Sequence, residues 1–243
     1  MSLASLPDGY RAAVFGASGG IGQALVAALD RDPRCAGIHA GSRHTITHPS
    51  PRISGFRFDL ADEASISAAA DQIGPPDLVI VATGTLHGPG LTPEKSLRAL
   101  ESSGLQQAFA INAIGPALIA RHLLPRLPRA RRTLFAALSA KVGSISDNRL
   151  GGWHSYRASK AALNMLVRTI AIELTRTHPE TVCVALHPGT VDTPLSKPFQ
   201  TGVASERRFP PETSANHLLS VLDKLRPENS GRLFGWDGQE ITP

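Results

Sequence analysis

At 243 residues, 42% hydrophobic and 19% charged, the chain has ordinary globular composition and enough apolar material for a sizeable core. Its net charge of +5 would suit an anionic partner, yet the basic residues are scattered apart from "RLPRARR" at 126–132, which reads as a solvated helix end rather than a nucleic-acid patch. Cys35 and Cys183 form neither a C-x-x-C pair nor metal-ligand spacing, and no stretch resembles a secretory signal or an uninterrupted membrane span of about 18 apolar residues, so a soluble, cytoplasmic chain without metal, disulfide or membrane partner is expected.

Short apolar runs alternate with longer helical ones along the chain. A strand is predicted at 11–16, a helix at 20–32, strands at 37–41 and 56–60, a helix at 62–73 and a strand at 77–84 apolar enough to be covered on both faces. A helical region follows from about 105 to 124, then a strand at 133–138, a helix at 156–174, a strand at 181–189, a helix at 212–225 and a last strand at 231–235. The alternation predicts an α/β fold: a parallel, doubly wound sheet of about seven strands with helices on both faces. No composition break divides residues 1–243, so a single domain is expected. Irregular stretches lie at 44–52, before Trp153 and at 193–211.

Where the first strand becomes the first helix the sequence reads "FGASGGIGQAL", with Gly16, Gly20 and Gly22 at the junction. Unpaired N–H groups and the positive end of the helix dipole favour a phosphate there, and side chains would obstruct it. The spacing is G-x-x-x-G-x-G rather than G-x-G-x-x-G, and close strand–helix packing would also explain a glycine. Further on, "YRASK" places Tyr156 and Lys160 four apart, nearly on one helical face. A neighbouring ammonium stabilises a phenolate and lowers the phenol's pKa, which would make the pair a usable acid or base.

The glycine turn, Ser139 closing "TLFAALS", "YRASKAALN" and "HPGTVDT" together resemble the short-chain dehydrogenases/reductases over almost the whole chain. "SAKVGSISDNRLGGWHSYRASKAALNM" is similar to their C-factor-like or carbonyl-reductase-like branch. The resemblance implies a Rossmann-type fold and hydride transfer between a nicotinamide and a carbonyl or alcohol substrate. Tyr156 would exchange the proton, Lys160 would lower its pKa and hold the ribose, Ser139 would bond the substrate oxygen, and Asn112 would fix a water. Cofactor contacts would come from Gly16, Ser18, Gly20, Ile21, Gly22, Asp59, Leu60, Thr83, Gly84, Tyr156, Lys160, Pro188, Gly189, Val191 and Thr193. At the end of strand two, where an acid would bind the ribose of NAD, the sequence has Ser42 and Arg43, and arginine suits a 2′-phosphate, so NADP(H) is expected over NAD(H).

Phe15 and "VATG" at 81–84 depart from the family, which has threonine and "NNAG" there. Related proteins often associate as homodimers or homotetramers through the helices at 105–124 and 156–174, while some are monomers, so the oligomeric state is left open. A Ser139 hydrolase is disfavoured because "ALSAK" lacks the G-x-S-x-G elbow, and His44 with His48 lacks carboxylate partners for a metal. His187 reads as a residue satisfying local backbone, while Trp153 and His154 could line a substrate pocket or cap the core. The segment "PLSKPFQTGVASERRF" reads as a lid, carrying Leu195, Phe199 and Val203 beside Lys197, Arg207 and Arg208. A dinucleotide-binding sensor or signalling protein on the same fold, with little turnover, is the non-enzyme alternative.

Overall fold

A computed structural model describes residues 2–200 and 208–243. Val203 and Arg207 of the expected lid therefore lie outside the described residues. The first strand, β1 (Tyr10–Phe15), alternates Ala12 and Val14 to one apolar cluster with Ala13 and Phe15 to the other. That period-2 split places apolar layers on both faces of the sheet. The same division recurs in β4 (Leu78–Val81), β5 (Thr133–Leu138) and β6 (Thr181–His187). Helices α1 (Gly20–Asp30) and α6 (Pro211–Lys224) cover one face, and α2 (Glu63–Ile73), α4 (Gly115–Leu123) and α5 (His154–Thr177) cover the other.

With β2 (Cys35–Ser42), β3 (Ile53–Arg57), β9 (Leu233–Gly235) and β10 (Glu240–Ile241), the sheet has eight strands in the order β10-β9-β6-β5-β4-β1-β2-β3. All neighbours are parallel except β9 and β10. The strand beyond the expected seven is a two-residue return from the 235–239 turn. Two further short strands, β7 (Thr190–Val191) and β8 (Arg208–Phe209), pair outside this sheet. Strand order reverses between β1 and β4, which opens a crevice at their carboxyl ends, the position where such sheets bind ligands.

Two segments differ instructively from the sequence expectation. Strand β3 begins at Ile53 rather than Phe56, because Gly55 allows Ile46 to lie against it: a Cβ on Gly55 would stand 2.0 Å from the Ile46 carbonyl oxygen. The helix expected at 105–124 is α3 (Ser102–Phe109) joined to α4 through a π-turn at Ala110–Ile114. By length and composition the span Ser102–Arg126 could cross a membrane, yet half of its apolar stretch is buried inside the protein, as in a core helix. The basic cluster is tied down: Arg126 pairs with Asp71, Arg131 with Asp77, and Arg132 donates to the carbonyls of Leu222 and Leu225. Cys35 and Cys183 are buried and unpaired.

Candidate active site

Gly16 opens the turn with φ of +91°, a left-handed conformation that costs a side chain dearly, and Gly22 passes so close that a Cβ would lie 2.1 Å from the Gly16 carbonyl oxygen. Together they fold β1 tightly onto the start of α1. The crevice is a cleft of about 380 Å³ lined by Gly16, Ser18, Ser42, Arg43, Asp59, Leu60, Thr83 and Gly84 among others. Eight of the expected cofactor residues thus share one wall. Ile21 faces inward against the core and Gly20 meets Thr193, whose methyl would lie 2.8 Å from a Cβ there. Thr193 therefore packs against the first residue of α1. Pro188 accepts a hydrogen bond from Ser214, Gly189 turns with φ of +78°, and the Val191 side chain is buried, leaving backbone as its route to a ligand.

Thr83 Oγ1 is buried without a hydrogen-bond partner among the described residues, in a cleft built for a ligand with polar atoms. Arg43 stands exposed on its rim, while the Ser42 hydroxyl is committed to the His44 backbone. The glycine turn, the orphan hydroxyl and the rim guanidinium fit a phosphate-bearing dinucleotide. Phe15, in place of threonine, packs edge-on against Phe56 and Phe58 at 5.1 and 4.9 Å, filling the sheet–α2 layer instead of bracing the turn.

At the other end of the cleft, a Cβ on Gly84 would lie 3.5 Å from both Asn112 Oδ1 and Lys160 Nζ. Lys160 Nζ donates to the Leu138 carbonyl at 2.8 Å and sits 5.9 Å from the Tyr156 ring centroid. Ser139, the next residue after β5, donates its hydroxyl to Asn164 Oδ1 at 2.7 Å. The structure therefore gathers the four expected catalytic residues, and α5 presents Tyr156, Lys160 and Asn164 at four-residue steps along one face. Asn164 was visible in "YRASKAALN" by that spacing alone, without an assigned role.

Asn112 sits in the π-turn, fully buried, and its two amide hydrogens go to the Thr85 carbonyl and Ser159 Oγ, at 2.8 and 3.0 Å. Its Oδ1 accepts from Thr85 N at 2.8 Å, which leaves one lone pair for a water. Against the lowering expected from Lys160, burial acts in the opposite direction. Burial pushes Tyr156 up to about 12 and Lys160 down to about 7, because each is removed from water that would solvate its charged form. The phenol is accordingly protonated at neutral pH.

Trp153 contributes to the site rather than capping the core: its ring meets Tyr156 at 6.2 Å and Phe199 at 5.1 Å, and Phe199 meets His87 at 5.5 Å. His87 also bonds the carbonyls of Pro194 and Leu195, tying the exit of β4 to the expected lid. His187 differs from expectation. Its Nδ1 is buried without a partner among the described residues, and burial pushes its pKa down to about 4, so it is neutral. His44 and His48 are exposed in their loop, and no three-residue metal cluster occurs among the described residues.

The family profile described as short chain dehydrogenase matches residues 11–204. The protein named C-signal from Myxococcus xanthus is 37% identical over 147 residues, covering 60% of this chain and 82% of that one. A 1-hydroxy-2-glutathionyl-2-methyl-3-butene dehydrogenase from Rhodococcus sp. (strain AD45) is 29% identical over 180 residues, covering 74% of this chain and 76% of that protein. Among solved structures, an NADPH-bound carbonyl reductase from chicken fatty liver superposes with a TM-score of 0.83 at 25% identity, covering 98% and 100% of the two chains. The carbonyl reductase Sniffer of D. melanogaster has the same fold, with a TM-score of 0.83 at 21% identity over 96% and 99%. With the profile spanning most of the chain and the glycine cleft running up to Lys160, the protein belongs to the short-chain dehydrogenase/reductase family, on its carbonyl-reductase-like side, as an NAD(P)-dependent oxidoreductase.

Proposed function

We propose that the chain, acting as one domain in the cytoplasm, is an NADP(H)-dependent reductase of a small carbonyl compound, with the corresponding alcohol as the reverse substrate. One observation carries this reading: Gly84 brings the dinucleotide cleft to within contact distance of Lys160 Nζ, beside Tyr156 and Ser139. When bound, the nicotinamide supplies the hydride. Tyr156, protonated at neutral pH, gives its phenolic proton to the substrate oxygen, and Lys160 has N–H groups left over from Leu138 for ribose hydroxyls. Ser139 steadies the developing alkoxide by turning its hydroxyl from Asn164 to that oxygen. Asn112 uses its remaining lone pair on a water of the proton relay. Arg43 takes the 2′-phosphate, the only charge that distinguishes the two dinucleotides.

Fluorescence titration with NADPH and NADH side by side tests the cofactor. NADPH should bind about tenfold more tightly, a difference of about 1.4 kcal/mol, and Arg43→Leu should erase the preference. Tighter NADH binding, or a preference untouched in Arg43→Leu, would overturn the assignment. Screening aldehydes, ketones and quinones with the preferred dinucleotide then identifies the substrate class.

The similarity to the protein named C-signal favours one second reading, a dinucleotide-binding signalling protein with little turnover. Tyr156→Phe separates the two. On the reductase reading it lowers turnover by about a hundredfold or more with NADPH affinity within about twofold, the usual worth of a positioned proton donor.

A further inference from the structure

Helix α5 begins without a cap of its own. Its cap position is Trp153, which has no side-chain acceptor for the first helical N–H groups, and residues 151–153 run through three left-handed conformations in succession, with φ of +63°, +66° and +50°. A helix end buried in this way needs an acceptor from elsewhere. Glu94 supplies it from the segment after β4. Its Oε2 accepts from the Ser155 backbone N–H at 3.2 Å, its Oε1 accepts from the Ser155 hydroxyl, and its own carbonyl accepts from Trp153 N–H at 2.5 Å.

Glu94 and Ser155 are both buried, at 5% and 1% exposure, and a buried carboxylate is costly unless its oxygens are hydrogen-bonded. Burial alone would push the Glu94 pKa up, but the hydrogen bonds from Ser155, together with the Glu94 backbone N–H and the nearby His154, hold the acid below its ordinary value and ionised. On the far side of Tyr156 the arrangement is mirrored: Ser159 donates to the Tyr156 carbonyl and is itself held by Asn112. Tyr156 is thus flanked in the chain by two buried serines, Ser155 held by Glu94 and Ser159 by Asn112, whose amide also bonds Thr85 just after β4.

We propose that Glu94 is a positioning residue for the reaction: by clamping Ser155 and Trp153 it fixes the rotation of the first turn of α5, and with it the aim of the Tyr156 phenol and the Trp153 ring. The inference rests on Tyr156 being the proton donor. A loosened first turn would still let the glycine cleft hold the dinucleotide, since that cleft is built from the β1–α1 turn and the exits of β2, β3 and β4.

The test is reduction of 4-nitrobenzaldehyde by NADPH in the wild type, Glu94→Ala, Glu94→Gln and Tyr156→Phe, with kcat expressed per NADPH-binding site so that misfolded protein does not count. Glu94→Ala should lower kcat about tenfold with the KM for NADPH within about twofold, and Glu94→Gln, which keeps an acceptor for Ser155, should recover to within about threefold of wild type. Hydrogen exchange should quicken over 152–160 in Glu94→Ala and not in α1. Wild-type turnover per site in Glu94→Ala, whether or not exchange quickens, overturns the proposal, as does a Glu94→Gln variant as slow as Glu94→Ala. Full turnover in Tyr156→Phe would overturn the reductase mechanism itself, whatever the Glu94 variants do.

Discussion

Lys160 is the residue whose chemistry the fold changes most. It is 3% exposed and its amine is pushed down to about 7, far below the value it has in an unfolded chain. Below that value the ammonium is charged in both states and its burial opposes folding. Between about 7 and the unfolded value the unfolded chain binds more protons, so the contribution to stability rises with pH. Lys160→Met should therefore be more stable than wild type at neutral pH, with the gap narrowing by a few kcal/mol towards pH 10, each tenfold change in acidity being worth about 1.4 kcal/mol. Urea unfolding of the pair at both pH values measures it, and a gap independent of pH would refute it. At this scale the sequence was most legible where chemistry is local: Tyr156 and Lys160 stand out by type and spacing, and Ser139 through the family resemblance. Glu94 does not, because its partner lies 61 residues away and neither "LTPEKS" nor "GGWHS" carries a capping pattern of its own. The direction of the Tyr156 shift was illegible for a related reason, since spacing reveals a neighbouring charge but not the loss of water.

Among the elements, the β1–α1 turn carries the tightest steric constraint. Gly22→Ala would drive a methyl into the Gly16 carbonyl, and the backbone of the turn would have to yield. A loss of roughly 1–3 kcal/mol in thermal unfolding is expected, together with weakened NADPH binding. Retained affinity would show that the turn can open without disturbing the cleft. The glycines revealed this element because nothing else fits there. The departures arise where tertiary contact decides: Ile53–Phe56 pair as a strand because Ile46 folds over Gly55, whereas the alternation "FRFDL" pointed a few residues too late.

Over the whole molecule, the parallel, doubly wound sheet followed from the regular alternation of strand and helix, while the strand order came from the structure. The edge strand β10 escaped because two residues carry no periodicity. Association was expected through the helices at 105–124 and 156–174, and those helices do expose Ile114, Met165 and Ile172, at 51%, 66% and 46%, beside an apolar groove of about 500 Å³ that includes Leu166 and Ile170. We propose a homodimer, or a homotetramer, joined there. Light scattering should give at least twice the monomer mass, and Met165→Lys with Ile172→Lys should reduce it to the monomer while NADPH still binds. A monomeric wild type would remove the proposal.

The π-turn at Ala110–Ile114 has a consequence for how such a protein can change over generations. An ordinary helix of the same length would hold its backbone better, so deleting one residue there is a step that selection for robustness alone would welcome. The deletion would also swing everything beyond it by about a quarter turn and point the Asn112 amide away from Thr85 and Ser159. Keeping the extra residue thus trades helical regularity for the bonds that hold the Asn112 amide to Thr85 and Ser159.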